Sequence, residues 1–288
     1  ADGALTVNGV KMPLDALYKA NTEKFAAVYP DKGENHAGVM TSEPAPRTFA
    51  YRGEAVEHPL VYIPVFPGTN CDYDTAKAFR KAGAEVEMSV LCNLGGDDIL
   101  RSIREMKEHI RRAHIFVLSG GFSSGDEPDG SAKFIVNVLN NKDIRDEIHA
   151  LLDRGGLILG ICNGFQALVK SGLLPYGRLG MVTKDSPTLF RNDVNRHISQ
   201  IVSTRVSTLN SPWLLGDIHS IAVSHGEGKF VVSEELAGEL FANGQVAFQY
   251  VDPEGRATAE APYNPNGSSY AIEGLVSRDG QILGKMGH

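Results

Sequence analysis

The sequence predicts an α/β fold: an open, mostly parallel sheet with flanking helices and additional antiparallel strands, preceded by a short N-terminal segment that belongs elsewhere. Three observations carry this. Between residues 60 and 171, short apolar runs alternate with stretches of helical period, the signature of βαβ units and therefore of a parallel sheet. After about residue 186 the segments become alternating and glycine-rich, as hairpin-forming strands do. Finally, 288 residues with 42% hydrophobic and 22% charged side chains make an ordinary globular composition with enough chain for a real core.

The elements follow in order. Residues 3–30 read as a strand at 4–7, a turn at Asn8-Gly9 and one helix with Leu14, Leu17, Tyr18 and Phe25 at helical spacing. That is too little to bury its own face. Residues 31–58, rich in Gly, Pro and charge without a sustained period, read as a linker, so a boundary is expected near residue 59. Four parallel strands are expected at 60–66, 84–90, 114–119 and 156–161, with a fifth further on. Helices are expected at 71–83, ending on Gly83, and at 97–112, with Ile99, Ile103, Met106 and Ile110 on one face. Others are expected at 134–139, 144–152 and 234–242, the last among strand-like runs ISQIVSTRVST, HSIAVSH, KFVVS, QVAFQYV, YAIEGLVS and QILGKM.

Composition also excludes classes of function. Thirty-five acids against 28 bases give a net charge of −7 with no basic block, so neither nucleic acid nor an anionic membrane is an expected partner. No apolar run approaches the roughly 18 residues needed to span a bilayer. The N-terminus lacks a secretory pattern, and it lacks Met, so the sequence is expected to be a piece of something longer. Three cysteines, Cys71, Cys92 and Cys162, cannot all pair and show no zinc spacing, which points to a reducing, cytoplasmic setting and no metal site.

Gly160-Ile161-Cys162-Asn163-Gly164 lies between the strand-like GLILGI and the helix-like FQALVKSG, where a nucleophile elbow forms. Its glycines permit close approach of strand and helix, and the turn holds Cys162 in strained geometry. The thiol is thereby expected to be exposed, and a helix N-terminus favours its thiolate. A thiolate attacking a carbonyl needs donors for the oxyanion. The loop LSGGFSSGD begins where the third strand should end, so the N–H groups of Gly121 and Asn163 are the expected pair. A general base must accept and return the proton. Of nine histidines, His225 in HGEG and the terminal His288 stand out, and chemistry alone leaves the choice between them open.

FPGTNCDYD, LSGGFSSGD, GICNGFQ, VSHGEGKF, YNPNGS and LGKMGH, in that order, resemble the class I glutamine amidotransferase domain of phosphoribosylformylglycinamidine synthases over residues 60–288. Residues 1–30 resemble the tail of the synthetase portion of the large single-chain form, which would make 1–59 that tail plus linker. The resemblance implies a flavodoxin-like sheet, Cys162 as the nucleophile that forms a γ-glutamyl thioester and releases ammonia, and His288 as the catalytic histidine. It implies that Gly120, Phe122, Ser123, Gln166, His225 and Gly226 bind or shape the site for L-glutamine. The ammonia would pass to the synthetase portion, which with ATP and Mg converts formylglycinamide ribonucleotide to its amidine in purine biosynthesis. This chain itself would carry no cofactor. The family's motif usually reads H-x-E-R; its glutamate, which orients the imidazole, would fall two residues beyond His288, so the native chain is expected to continue. Two rival readings keep the core: a flavodoxin-like cysteine hydrolase or deglycase, and a non-catalytic docking domain.

Overall fold

A computed structural model describes residues 3–25, 38–41, 49–123 and 131–288. Loop residues 124–130, including Gly125 and Asp126, lie outside the described residues, as do 26–37 and 42–48 of the expected linker and the side chain of Phe25. The chain divides into two compact units, Ala1–Asn35 and His36–His288.

In the first unit, Asn8 and Gly9 both have positive φ, at 50° and 80°, the geometry of a two-residue hairpin turn. They join β1 (Ala4–Val7) to β2 (Val10–Pro13), with Val7 opposite Val10. The second strand was not expected, because four residues of VKMP carry no clear alternation. Helix α1 (Leu14–Thr22) follows directly.

In the second unit, the expected linker behaves differently from its composition. Met40 offers its carbonyl to Gln249 Nε2 at 2.7 Å, and the backbone of Gly53 and Arg52 lies so close to Gly155 that Gly155 has no room for a side chain. The described parts of 38–59 are thus built onto the second unit, which begins at His36.

The parallel strands are β3 (Leu60–Val65), β4 (Glu85–Val90), β5 (Ile115–Leu118) and β6 (Leu157–Ile161). Between them run α2 (Asp72–Lys81), α3 (Gly96–Arg112), and the pair α4 (Lys133–Leu139) and α5 (Lys142–Asp153). Helix α2 stops where Gly83 takes φ 93° and its N–H turns back to Arg80 O, a conformation glycine adopts freely. On α3, Ser102, Ile103, Met106 and Ile110 are buried, whereas Ile99, in the first turn, is exposed. After β6 come α6 (Asn163–Ser171), α7 (Leu173–Tyr176), β7 (Thr188–Phe190), β8 (Ile198–Val206), β9 (Ile218–His225), β10 (Lys229–Val231), α8 (Glu234–Ala242), β11 (Val246–Tyr250), β12 (Ile272–Val276) and β13 (Ile282–Lys285).

Nine strands form one sheet in the order β4-β3-β5-β6-β13-β12-β11-β8-β9. The first five are parallel; the remaining neighbours pair antiparallel. The fifth parallel strand is therefore β13, formed by QILGKM. Apolar clusters cover both faces, one around Phe116, Phe165 and Ile158 and the other around Val61, Val117 and Leu283, as a parallel core requires. Strand order reverses between β4-β3 and β5-β6, so a crevice opens at the carboxyl ends of these strands, where α/β proteins place their ligands. Among the described residues, no helix is long and apolar enough to cross a membrane.

Candidate active site

Cys162 occupies the turn between β6 and α6 with φ 52° and ψ −107°, a strained conformation for a residue with a Cβ. Crowding explains the two glycines. A Cβ on Gly160 would lie 2.7 Å from Gly164 O, and one on Gly164 would collide with the carbonyl oxygen of Leu118 on β5. The Cys162 N–H donates to Lys285 O at 2.9 Å, tying the elbow to the end of β13, three residues before His288.

The thiol is not exposed as the elbow alone suggests. Cys162 is only 6% exposed and packs into the apolar cluster around Phe165. It faces a pocket of about 290 Å³ instead of open solvent, and that pocket also holds Gly121, Phe122, Gln166, His225 and Gly226. Further wall residues were not anticipated: Ser131, Arg191, Asn195, Arg196, His197 and Glu227. Glu227 stood inside the HGEG motif and was legible there. The others lie in polar stretches with no spacing to mark them.

A relay of side chains crosses the site. Ser123 N–H donates to Asn163 Oδ1 at 3.2 Å, Asn163 Nδ2 to Gln166 Oε1 at 2.9 Å, and Gln166 Nε2 to Glu227 O at 2.6 Å. Both ends of the Gln166 carboxamide are thus engaged in joining the elbow to the HGEG loop. The Glu227 carboxylate is held by Ser131 through its N–H and hydroxyl. The YNPNGS segment braces the same loop, Asn266 Nδ2 donating to Gly228 O at 2.8 Å; next to the loop, buried Lys229 pairs with Asp193 at 2.6 Å.

Gly121 forms a bridge opposite Thr69, flanked by the bonds Phe122 N–H to Gly68 O and Asn70 N–H to Gly120 O. In such a non-hydrogen-bonded pair the residue's own N–H points away from its partner strand, so the Gly121 N–H is directed away from the 68–70 loop. A Cβ on Gly121 would lie 2.8 Å from Thr69 Cα, which with φ 152° leaves glycine as the only comfortable residue.

The two candidate bases occupy different places. A Cβ built on Gly120 would lie 3.2 Å from His288 Nε2 and 3.3 Å from Cys71 Sγ, so the His288 ring lies against Gly120 beside the Cys71 thiol. Its backbone N–H donates to Ala222 O at 3.0 Å. Partial burial, then the Lys285 ammonium, lowers its pKa and keeps the ring neutral. His225 shares the pocket with Cys162, and burial followed by neighbouring His197 pushes it down to about 4. Burial and the nearby Asp74 and Asp72 raise the Cys71 thiol, which makes it a poor nucleophile. Among the described residues, no group of three or more His, Cys, Asp or Glu side chains is arranged to hold a metal.

The depressed His225 has a consequence for stability. Above pH 6.5 the ring is neutral folded and unfolded; below it the unfolded chain takes a proton that the folded chain refuses until about pH 4. Stability therefore falls as pH drops through this window, by about 2 kcal/mol at pH 5. Urea midpoints at pH 7 and 5 check this: the loss should shrink in His225→Gln.

Comparisons with known proteins identify the family. Residues 58–288 match the model of the CobB/CobQ-like glutamine amidotransferase domain. The phosphoribosylformylglycinamidine synthase subunit PurQ of Methanococcus maripaludis strain C5 is 34% identical over 232 residues, covering 80% of this chain and 82% of the relative. The same subunit of Salinibacter ruber is 33% identical over 230 residues, covering 78% and 85%. Among solved structures, PurLQS from Thermotoga maritima aligns with a TM-score of 0.57 and 26% identity, covering 80% of this chain and 87% of its own. With an elbow cysteine at its center and a family match spanning most of its length, the chain belongs to the CobB/CobQ-like glutamine amidotransferases.

Proposed function

We propose that the chain hydrolyses L-glutamine to glutamate and ammonia through a thioester on Cys162. The observation that carries this reading is the strained Cys162 lining a pocket that also contains Gly121 and His225. The Cys162 thiol gives its proton to an imidazole, and the resulting thiolate attacks the γ-carboxamide carbon. The tetrahedral oxyanion is met by the N–H groups of Gly121 and Asn163. The C–N bond breaks as the imidazolium returns the proton to the leaving nitrogen, and water, deprotonated by the same imidazole, cleaves the thioester to glutamate. His288 fits the role of base. A ring with a pKa near 4, as His225 has, holds a proton too weakly to take one from a thiol, and the β13 end that leads to His288 is bonded to Cys162.

The relatives' names extend the proposal. The PurQ subunits and the PurLQS assembly support ammonia passing to a synthetase that aminates formylglycinamide ribonucleotide in purine biosynthesis, in a cytoplasmic setting. ATP and Mg would be bound on the synthetase side. The reading of residues 1–30 as the tail of such a synthetase in the same polypeptide belongs to this proposal as well.

A chloroketone analogue of glutamine tests the site. The expected result is one covalent label on Cys162, located by peptide mass mapping and suppressed by glutamine. Labelling at Cys71 or Cys92 would favor the hydrolase reading, and no labelling the docking-domain reading.

A further inference from the structure

Asn192, fully buried after β7, uses every hydrogen-bonding position of its carboxamide. Nδ2 donates to Arg196 O at 3.1 Å and to His225 O at 2.8 Å. Two carbonyl acceptors settle which end of the amide is nitrogen. Oδ1 therefore faces the other way, where it accepts from Gly228 N–H at 3.1 Å and meets His225 Nδ1 at 3.2 Å. An amide oxygen only accepts, so Nδ1 must carry a hydrogen. In a neutral imidazole this leaves Nε2 bare, an acceptor. His225 Nε2 is buried and has no partner among the described residues, yet its ring forms part of the wall shared with Cys162 and Glu227. A buried acceptor without a donor is costly, and a ligand that brings one is favored there.

We propose that Asn192 is a positioning residue that locks His225 in the Nδ1–H tautomer, so that bare Nε2 accepts a hydrogen bond from an N–H donor of the amino-acid substrate, either its α-ammonium or its side-chain carboxamide. The substrate's identity rests on the glutaminase reading; the tautomer does not. Burial supports the lock, since a ring titrating near pH 4 stays neutral at working pH. The neighbouring His197 and His288 rings act in the same direction. If the donor is the carboxamide, the site also disfavors glutamate, whose carboxylate brings oxygen acceptors against a nitrogen acceptor.

Nitrogen-15 NMR of histidine-labelled intact protein at pH 7 reads the tautomer directly. His225 is expected as Nδ1–H with unprotonated Nε2, and Asn192→Ala should release it toward Nε2–H. Wild type already showing Nε2–H, or an imidazolium, overturns the lock without any variant that must fold. Adding L-glutamine to the Cys162→Ala protein, which binds without turnover, should shift the Nε2 resonance upfield; no shift at saturation overturns the substrate contact. In steady-state kinetics, His225→Leu should raise KM for glutamine about 10- to 100-fold, the range of one buried hydrogen bond, with little change in kcat, and His225→Gln should recover most of it. An unchanged KM in His225→Leu counts against the contact. With 4-carbamoylbutanoate, which lacks the amino group, a penalty that vanishes identifies the ammonium as donor and one that persists identifies the carboxamide. A wild-type chain that releases no glutamate defeats the glutaminase reading alone, because the tautomer and the resonance shift are read without turnover.

Discussion

Cys162→Ala is expected to lower glutamine hydrolysis by about 10⁶-fold, the loss seen when the nucleophile of an interdependent catalytic set is removed. No other sulfur replaces it: Cys71 lies beside His288 and Gly120 with a thiol held in its protonated form by burial and two nearby aspartates. The fold should survive. Cys162 makes no side-chain cap bond to α6, and alanine meets the same backbone strain at φ 52° as cysteine does. Glutamate release measured beside a thermal melt separates the two effects. Activity within about 100-fold of wild type, a loss of less than about 3 kcal/mol in transition-state stabilisation, would remove Cys162 from the reaction.

Phe165→Ala is expected to cost about 3–5 kcal/mol of folding stability, a large part of the roughly 5–15 kcal/mol available to a domain. Phe165 is fully buried on α6, stacks on Phe230 of β10 with centroids 6.5 Å apart, and fills the space above Gly284 of β13. One side chain thus ties the elbow helix to the strand leading to His288 and to the strand following HGEG. Denaturant unfolding measures the cost, and Phe165→Leu, which retains much of the volume, should lose far less. Equal losses for both variants would mean that ring stacking, and not the cavity, dominates.

Much of the parallel core was legible because its cues are local. Strands β3 to β6 fall within one or two residues of the runs that predict them; β3, β5 and β6 lie inside the sheet and are mostly buried, so they read as nearly continuous apolar runs, whereas edge strand β4 keeps Glu85, Glu87 and Ser89. The elbow was legible for the same reason: glycines two residues either side of Cys162 answer contacts with Leu168, Gly164 and Leu118. Gly83 marked the end of α2 through its own φ. Where local cues were misleading, a distant contact had overruled them. Residues 38–59 look like linker, yet Met40 is held by Gln249. Ile99 keeps the helical spacing of α3, but in its first turn it stays exposed while Ile103, Met106 and Ile110 are buried.

Within this chain, sequence alone determined the α/β core, the strand-turn-helix around Cys162 and the motifs that surround it, because backbone conformation and burial period depend on residues a few positions apart. Tertiary structure alone decided that β13 lies beside β6, that the thiol faces a covered pocket, that His288 rests against Gly120, and that Asn192 faces His225. Those outcomes depend on groups far apart in the chain, 33 residues between Asn192 and His225 and 61 between Gln166 and Glu227. Hydrogen bonds of fixed direction between such groups exist only once the sheet has brought their loops to one edge.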